Sequence, residues 1–328
     1  MERVDVSVTP QCSVVIRAFN EQELIGRLLS GIKQQSGVEV ETILVDSGST
    51  DQTVEVARRF SARVIEIDPS DFTFGRSLNM GCSEARGEFI VVASAHVHPV
   101  YPDWLERLLE PFRDPQIALT YGRQRGNSIT KFSEQQIFAK LYPEQSSIGQ
   151  THPFCNNANA AIRRTLWMQR RYDEELTGLE DLEWATWAIS QGHLLAYVAE
   201  AEVIHVHDET PRQVYDRYRR EAIGLKRIRP QERFHLVDFA RLYVSNVISD
   251  IRQVTRSKVR GANWREILWF RWMQMWGTYR GFTHRGPMSS ELKHSLYYPR
   301  RLNLEVESPS RRIAPIEYGE AIEGPPKQ

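Results

Sequence analysis

The sequence predicts an α/β fold, a mostly parallel sheet flanked by helices, with a helical C-terminal appendage. Runs of β-branched and aliphatic residues alternate with segments of helical periodicity in the N-terminal half, which is the pattern of strands joined by crossover helices. The run at 89–93 is apolar at every position and that at 13–19 is mainly so, as in strands buried on both faces. With 328 residues, of which 41% are hydrophobic and 26% charged, the chain can form a sizeable core.

The first elements follow from this pattern in order. Residues 13–19 form a β-branched run that predicts the first strand, and residues 21–35 repeat an aliphatic side chain at every fourth position, which predicts a helix. The next elements are a strand at 42–45, a short helix at 54–60, strands at 63–67 and 89–93, and a helix that opens at Pro102.

The pattern changes after residue 157. The predicted elements are then a strand at 158–162, a helix at 181–190, an extended segment at 194–206 and a mainly helical region from 211, with one helix at 264–282. We therefore predict an α/β domain over residues 1–230 and a helical, basic and aromatic region over residues 231–328. The latter is expected to end in an irregular tail after residue 308.

Composition and charge exclude several classes of protein. The three widely spaced cysteines have neither metal-ligand spacing nor a disulfide framework, so reduced thiols in a cytoplasmic protein are expected. The N-terminus lacks the apolar core of a signal peptide, and no apolar run approaches the roughly 20 residues of a membrane span. Residues 211–285 carry 17 Lys and Arg against 6 Asp and Glu, which predicts an anionic partner for this segment.

Polar clusters follow three of the predicted strands and begin at Asn20, Asp46 and Ser94. The carboxyl ends of parallel strands meet at one edge of a sheet, where ligands bind. The turn after the first strand lacks the Gly-rich sequence of dinucleotide folds, and the chain has neither a Walker A sequence nor a nucleophile elbow. An acidic edge suits hydrogen bonds to a base and a ribose, or a cation that bridges a pyrophosphate.

Five segments in order carry a resemblance to a known family. They are SVVIRAFNE from Ser13, ILVDSGSTD from Ile43, FGRSLNMGCSEARGEFIVV from Phe74, NANAAIRR from Asn157 and GLEDLEWA from Gly178. Together they resemble the inverting glycosyltransferases of family two, which have the GT-A fold, and within these the bacterial rhamnosyltransferase-like branch. The resemblance implies a GT-A-like catalytic domain that binds a nucleotide sugar, transfers the sugar to an acceptor hydroxyl with inversion, and serves cell-surface glycan synthesis.

The resemblance also implies a nucleotide pocket at the strand ends. Asp46 would accept a hydrogen bond from the base, and Arg76 could pair with a phosphate or, equally, with a surface carboxylate. Asp51 is expected to cap the helix that follows it. The complete set of expected nucleotide-binding residues is Ala18, Glu21, Asp46, Arg76, Asn79 and Ser94.

The sequence departs from the family at its metal motif. The family has Asp-x-Asp after the fourth strand, whereas this chain reads Ser-Ala-His, with His96 in place of the second Asp. His98 would share the face of His96 if the chain stays extended, and His205 and His207 form a second His-x-His pair. We expect His96 and His205 to bind a divalent cation, Mn²⁺ or a softer ion rather than Mg²⁺. A structural zinc site, or histidines that merely end strands, are the alternatives.

Glu180 and Asp181 precede a predicted helix. The helix dipole alone favours acidic residues there. The resemblance assigns to Asp181 the general base that deprotonates the acceptor hydroxyl, with Glu180 and Glu183 as alternatives. Trp184 and Trp187 are expected in the core, where such residues usually lie, rather than as platforms for the acceptor sugar.

Two other functions fit parts of the sequence. Loss of Asp-x-Asp fits a catalytically degraded sugar-nucleotide-binding module, and nucleotidyltransferases share a similar fold, although they carry a Gly-rich basic loop that is absent here. The expected partners are a nucleotide-sugar donor and a glycan or lipid-linked acceptor, not nucleic acid. For the basic, aromatic segment at 211–285 we expect core packing, a homodimer interface, or peripheral contact with the inner face of the cell membrane.

Overall fold

The computed structural model describes residues 10–257, 263–285 and 313–318. Within these residues a nine-stranded sheet is flanked by helices. The strands, numbered in chain order, are β1 (Cys12–Ala18), β2 (Val40–Asp46), β3 (Arg63–Glu66), β4 (Phe89–Ser94), β5 (Val97–Pro99), β6 (Ile117–Arg125), β7 (Ser147–Gln150), β8 (Asn159–Arg163) and β9 (Leu194–His205). The helices are α1 (Ile25–Lys33), α2 (Thr53–Arg59), α3 (Phe74–Ser83), α4 (Trp104–Leu109), α5 (Phe132–Leu141), α6 (Arg164–Gln169), α7 (Glu180–Ser190), α8 (Pro211–Ile228), α9 (Leu236–Ser257) and α10 (Trp264–Phe282).

The sheet has a parallel half and a mixed half, in the order β3-β2-β1-β4-β8-β6-β9-β5, with β7 beside β9. The first four strands are parallel to one another. β8 is antiparallel to both β4 and β6, and β6 is parallel to β9. The predicted α/β class and mostly parallel sheet are confirmed, and every strand predicted up to residue 206 is present within about two residues.

The sheet is covered on both faces because alternate residues of its strands point to opposite sides. On one face Val14 and Ile16 of β1 pack in a cluster with Leu28 and Trp104. On the other face Val15 packs in a cluster that contains Trp184, which is fully buried. Burial on both sides explains why β1 reads as a continuous apolar run. It also confirms Trp184 as a core residue.

Two sequence expectations differ in detail from the structure. The first helix starts at Ile25 rather than 21, because the amides of Leu24 and Ile25 both donate to the carbonyl of Glu21 and form a separate turn. No helix or strand was predicted between residues 105 and 156. The structure has the rest of α4 there, followed by β6, α5 and β7.

The C-terminal helices pack on the α/β domain. α10 crosses α8 at Gly277 and Gly281, where a Cβ atom would lie 2.5 Å from the carbonyl oxygen of Tyr215 and from the Cβ of Ala222. Arg271 of α10 forms a buried ion pair with Asp250 of α9. The helix expected at 264–282 is confirmed, whereas the division of the chain at residue 230 stays a prediction.

Residues 313–318 are without helix or strand and lie against the sheet edge, where Ile316 donates to the carbonyl of Val100 and the Tyr318 hydroxyl donates to that of Pro99. The rest of the tail expected after residue 308 lies outside the described residues. The described helices include none that combines the length and apolarity needed to cross a membrane. All three cysteines are buried and free.

Candidate active site

The predicted pocket residues of the first strands come together at one edge of the sheet. Ala18 is the register partner of Asp46 across β1 and β2, and Arg17 is that of Ser94 across β1 and β4. Glu21 lies in the turn directly after β1, held by a hydrogen bond from its amide to the Thr53 hydroxyl. The sequence therefore identified four neighbours at this edge, Ala18, Glu21, Asp46 and Ser94.

Asp46 has one carboxylate oxygen that nothing in the described protein satisfies. Its Oδ2 accepts hydrogen bonds from the amides of Gly48 and Ser49, at 3.0 and 2.9 Å, and so shapes the turn after β2. Gly48 has a φ of +87° in this turn, a conformation that glycine adopts without steric cost. The other oxygen, Oδ1, is buried and without a hydrogen-bond partner. An orphaned acceptor of this kind fits an N–H group of a bound base.

Asp51 has the structural role expected of it. Its Oδ1 accepts from the amide of Thr53, the first residue of α2, at 3.0 Å. Its Oδ2 accepts from the amide of Gln22. The capping carboxylate thus ties the turn after β1 to the start of α2, and it fixes the approach of Glu21 to the site.

Arg76 and Asn79 of α3 are engaged elsewhere. The Arg76 guanidinium lies 3.4 Å from the carboxylate of Asp71 and 3.3 Å from that of Glu174, in a half-exposed position. Asn79 is buried. Its side-chain amide donates to the carbonyl of Tyr172 and accepts a hydrogen bond from the backbone amide of the same residue. The structure does not bring these two side chains to the polar edge, and their roles in nucleotide binding stay predictions.

Glu180 and Asp181 open α7 after a strained elbow. Leu179, which precedes them, has a φ of +64°, a conformation that is costly for a branched residue and concentrates at functional sites. Both carboxyl groups are buried. The N-cap residue Leu179 makes no side-chain capping bond, and Glu180, Asp181 and Glu183 occupy the first turn of α7, where the helix dipole favours acidic residues.

The two carboxyl groups have different surroundings. Glu180 is paired with Arg17, with Oε1 and Nη1 3.1 Å apart. Asp181 accepts hydrogen bonds from the amides of Asn157 and Leu182, at 2.9 and 2.8 Å. Burial, and next the charge of Glu180, raise the pKa of Asp181 to about 7. Glu183, the other alternative base, is ion-paired with Arg170.

Sequence reasoning missed two residues that shape this acidic centre. Arg17 projects from β1, stacks on the Phe74 ring at 4.6 Å and pairs with Glu180. A single charge inside an otherwise apolar strand was the available signal. Asn157 donates through its side-chain amide to Glu180 at 3.4 Å, and its buried Oδ1 has no hydrogen-bond partner among the residues that the structure describes. Its place in a matched motif was a signal too, although no role was assigned to it.

Three histidines cluster at the ends of β4 and β9. The ring centroids of His96 and His205 are 5.1 Å apart, those of His205 and His207 4.1 Å, and those of His96 and His207 5.5 Å. One ring nitrogen from each lies within 4.8 Å of the others. The structure thus brings His96 and His205 together as the sequence predicted, and it adds His207.

His98 does not join this cluster. Residues 95 and 96 form a turn between β4 and β5, so the chain is not extended there and the shared face with His96 expected from alternation is lost. The His98 ring packs edge-on against Tyr318 instead. Burial, aided by the charges of Arg27 and Arg125, lowers its pKa to about 3.

His96 and His205 have pKa values that are shifted in opposite directions. Burial lowers the pKa of His96, but the Glu21 carboxylate beside it outweighs this effect and the net pKa is raised. Burial and the neighbouring His207 and His96 hold the pKa of His205 well below its usual 6.5. His205 is therefore a neutral imidazole at physiological pH, which is the form that binds metal ions.

Hydrogen bonds connect the histidine cluster to the acidic centre. His205 bonds to Gln124, and Gln124 donates to Asn156 at 3.2 Å. The next residue, Asn157, donates its backbone amide to Asp181. The loop before β8 thus spans the two centres. A cleft of about 320 Å³, lined by residues of β6 and α5 that include Gln124, adjoins the histidine cluster.

This arrangement combines four features. It has an orphaned acceptor at the end of β2, a carboxyl group that ionises near neutral pH, and a group of imidazole nitrogens in metal-binding proximity. It also has an arginine, Arg17, between the first strand and the acidic pair. Transfer of a group from a nucleotide to a hydroxyl needs a binding site for the nucleobase, a site that compensates the charge of the leaving anion, and a general base.

Comparisons with known proteins agree with this geometry. Residues 13–170 match the sequence profile of glycosyl transferase family 2. An O-antigen chain rhamnosyltransferase of Salmonella typhimurium is 29% identical over 225 residues, which are 63% of this chain and 69% of the relative. A second one, of Salmonella anatum, is 30% identical over 197 residues, 57% of this chain and 62% of the relative. The chain therefore spans about two thirds of the length of these enzymes.

A solved structure confirms the fold. The mannosyltransferase of Pyrobaculum calidifontis, in complex with GDP-Man and Mn²⁺, superposes with a TM-score of 0.58 at 16% identity, over 84% of this chain and 88% of that one. The alternatives of a degraded binding module and a nucleotidyltransferase find no support in these matches. Residues 13–170 are similar to glycosyl transferase family 2, and the chain is a glycosyltransferase with the GT-A fold.

Proposed function

We propose that this enzyme transfers a hexosyl or deoxyhexosyl residue from a nucleoside-diphosphate sugar to a hydroxyl group of a glycan acceptor in cell-surface polysaccharide synthesis. The likeness to O-antigen rhamnosyltransferases supports a deoxyhexose donor. The observation that carries the mechanism is the carboxyl group of Asp181, which is buried beside Glu180 and has a pKa of about 7. Such a group accepts a proton efficiently near neutral pH.

The donor nucleotide lies along the ends of β1, β2 and β4 in this proposal. The free Oδ1 of Asp46 accepts a hydrogen bond from the base. The backbone around Ala18 and the side chains of Glu21 and Ser94 line the adjoining pocket. Its support is that these residues are register neighbours at one sheet edge.

The reaction is a single in-line displacement. Asp181 removes the proton of the acceptor hydroxyl as its oxygen forms a bond to the anomeric carbon. The bond from that carbon to the diphosphate oxygen breaks, the electron pair leaves with the nucleoside diphosphate, and the configuration inverts. Arg17 holds Glu180 through its ion pair, so that the negative charge of the pair is partly compensated before substrate binds.

His96 and His205 hold a divalent cation at the donor diphosphate in this proposal. The fit rests on the proximity of their ring nitrogens and on the neutral state of His205. When bound, the cation stabilises the charge on the leaving diphosphate. Imidazole ligands favour Mn²⁺ or softer ions over Mg²⁺, and Mn²⁺ accompanies GDP-Man in the Pyrobaculum enzyme.

The test is a donor screen followed by transfer. Thermal unfolding is measured with a panel of nucleotide sugars, with and without Mn²⁺, because a donor that binds the native state raises the melting temperature. The best donor, labelled in its sugar, is then supplied with glycan acceptors. Transfer with inversion, established by the anomeric configuration of the product, is expected. Binding without transfer or hydrolysis would indicate the degraded binding module instead.

We also propose that the acceptor is lipid-linked and that α9 brings the enzyme to the cytoplasmic face of the membrane. Val237, Val244, Ile248 and Ile251 are exposed, Val237 by 77%, and their spacings of seven, four and three align them in one stripe along α9. Arg241 beside this stripe is exposed as well. An apolar stripe with flanking arginines is typical of helices that lie in the interface of anionic membranes.

Co-sedimentation with vesicles tests this membrane contact. Binding to anionic vesicles that weakens at high salt, and that is lost in Val244→Asp, is expected. A strand residue such as Val40 cannot serve as the control site, because Val40→Asp would itself disturb the fold. The control is therefore Glu55→Gln, at an exposed position on α2, and this variant should bind vesicles as the unchanged chain does. Absence of binding together with a stable dimer in solution would assign the stripe to a homodimer interface and favour a soluble acceptor.

A further inference from the structure

The three clustered histidines come from two segments that the sheet joins. His96 lies in the turn after β4, and His205 and His207 lie at and just beyond the end of β9. The short strand β5 fixes the two segments together, since Val97 is the register partner of His205 and the amide of Val206 donates to the carbonyl of His96. The cluster is therefore built by the backbone of the fold and does not depend on a mobile loop.

Each ring uses the same nitrogen for a hydrogen bond that points away from the cluster. The Nδ1 atom of His96 lies 2.9 Å from the Glu21 carboxylate, and that of His207 lies 2.8 Å from the Glu134 carboxylate. A carboxylate only accepts hydrogen bonds, so both Nδ1 atoms carry a proton.

The third ring follows the same rule. The Nδ1 atom of His205 lies 2.7 Å from the amide oxygen of Gln124. That oxygen is identified because the amide nitrogen of Gln124 donates to Asn156 on the other side. Nδ1–H of His205 is therefore the donor, and the lone pair of the neutral ring is at Nε2.

The remaining ring nitrogens are thus prepared as ligands. The Nε2 atom of His205 is buried and without a hydrogen-bond partner in the described protein, and one nitrogen of each ring lies within 4.8 Å of the others. Metal-binding histidines in proteins usually donate their second N–H to a carboxylate or an amide oxygen, which fixes tautomer and orientation. All three rings have that arrangement.

A second group of possible metal ligands shares His207 with the cluster, but its two carboxylates are already ion-paired. Glu134, His207 and Glu209 also lie close together. The guanidinium of Arg217 pairs with both carboxylates, at 2.6 and 2.5 Å. A cation between these two carboxylates would meet that positive charge directly.

We propose that His96, His205 and His207 form a tri-histidine centre that binds one transition-metal ion before the donor arrives. This inference refines the cation site of the proposed function and rests on it for the role of the metal. Glu21, Gln124 and Glu134 act as positioning residues. Three imidazoles favour Zn²⁺, Co²⁺ or Ni²⁺ over Mg²⁺.

The test measures metal binding in the absence of donor. Metal-free protein is titrated with Co²⁺ and with Zn²⁺ by calorimetry, and bound Co²⁺ is followed by its visible absorption. One ion per chain is expected, with Mg²⁺ unable to displace it at equal concentration. His207→Ala should weaken binding at least about tenfold, and the control His98→Gln, whose ring lies outside the cluster, should bind as the unchanged chain does.

A positioning variant separates hydrogen-bond support from a general loss of structure. Gln124→Ala removes the acceptor of His205 Nδ1–H and should weaken Co²⁺ binding about 10- to 100-fold. Gln124→Glu keeps an acceptor and should restore binding. Melting curves of the metal-free variants check that each is folded.

The outcomes distinguish this inference from the proposed function. Loss of binding in His207→Ala with retention in His98→Gln supports the tri-histidine centre. Equal binding by His207→Ala and the unchanged chain would overturn it and leave a two-histidine site. Absence of Co²⁺ and Zn²⁺ binding without donor, in a chain that still transfers sugar, would overturn the inference while the proposed function stands.

Discussion

The acidic pair at the start of α7 and His205 at the end of β9 are both buried, and burial acts on Asp181 and His205 in opposite directions. It raises the pKa of Asp181 to about 7 and lowers that of His205 well below 6.5. The cause is the same, because a low-dielectric surrounding disfavours the charged form, which is the anion of Asp181 and the cation of His205. One group thereby becomes a base suited to neutral pH, and the other a neutral ligand.

The two centres differ also in what holds them. The carboxyl groups receive hydrogen bonds and an ion pair directly, from Asn157, Leu182 and Arg17. Each histidine has its Nδ1 atom within hydrogen-bond distance of an acceptor outside the cluster, and the buried Nε2 atom of His205 has no hydrogen-bond partner among the described residues. The properties of a proton-transfer group thus depend on the hydrogen bonds and charges that its carboxyl oxygens receive. Those of a metal-binding histidine depend on the acceptor to which its other ring N–H donates.

The largest effect is expected from removing the base. Asp181→Asn keeps the shape of the side chain but cannot take up the acceptor proton, so kcat should fall about 10²–10⁴-fold with donor binding nearly unchanged. Steady-state kinetics and donor titration check this. The control is Asp238→Asn, an acidic residue in the first turn of α9. Near-normal turnover in Asp181→Asn would move the role to Glu180 or Glu183.

The histidine cluster should respond through donor binding rather than through proton transfer. His96→Ala removes one ligand, and donor affinity in the presence of Mn²⁺ should fall at least about tenfold, because charge on the diphosphate is less well compensated. Donor titration with Mn²⁺ and with chelator measures the effect. Full activity of the unchanged enzyme in excess chelator would contradict a metal role and assign the histidines to hydrogen bonding.

Asp46 tests the donor edge that lies beside both centres. Asp46→Asn keeps one oxygen for the turn amides but removes the second acceptor. Nucleoside diphosphate affinity should fall about 10- to 100-fold, since a hydrogen bond to a charged group contributes roughly 1.5–3 kcal/mol. Calorimetry with a panel of nucleoside diphosphates checks this. If Asp46→Asn bound every nucleoside diphosphate of the panel with unchanged affinity, the nucleobase would not bind at Asp46.

The smallest effect concerns pH. The pKa of Asp181 is raised from 3.8 to about 7 on folding, so the carboxyl group binds its proton more tightly in the folded protein than in the unfolded chain. The stability that results from this difference is complete below pH 3.8 and is lost as the pH rises through about 7. Asp181→Asn should therefore gain stability relative to the unchanged chain between these values. Denaturant unfolding at pH 4.5 and 7.5 measures it; a stability difference independent of pH would argue against the raised pKa.

Activity should change with pH in the opposite sense. The base must be ionised, so kcat/KM should rise with pH to a plateau above about 7.

Much of the parallel half of the sheet could be predicted from the sequence. β1, β4 and the second half of β2 are mainly apolar because both of their faces are buried, and polar residues end each of these strands. The segment between α4 and β8 was not assigned, because β6, α5 and β7 mix polar and apolar residues without a clear period. Their form depends on pairing with β8 and β9, which are distant in sequence.

The sequence by itself determined the resemblance to family two, the parallel half of the sheet, the polar strand ends and the choice of Asp46, Asp181, His96 and His205 as candidates, because each belongs to a local pattern. Only the tertiary structure decided which histidines meet. The turn at residues 95 and 96 takes His98 away, and the pairing of β5 with β9 brings His207 in. Likewise, Arg17 and Asn157 meet Glu180 through contacts that span 163 and 23 residues. Contacts over such separations depend on the path of the backbone, which no local spacing encodes.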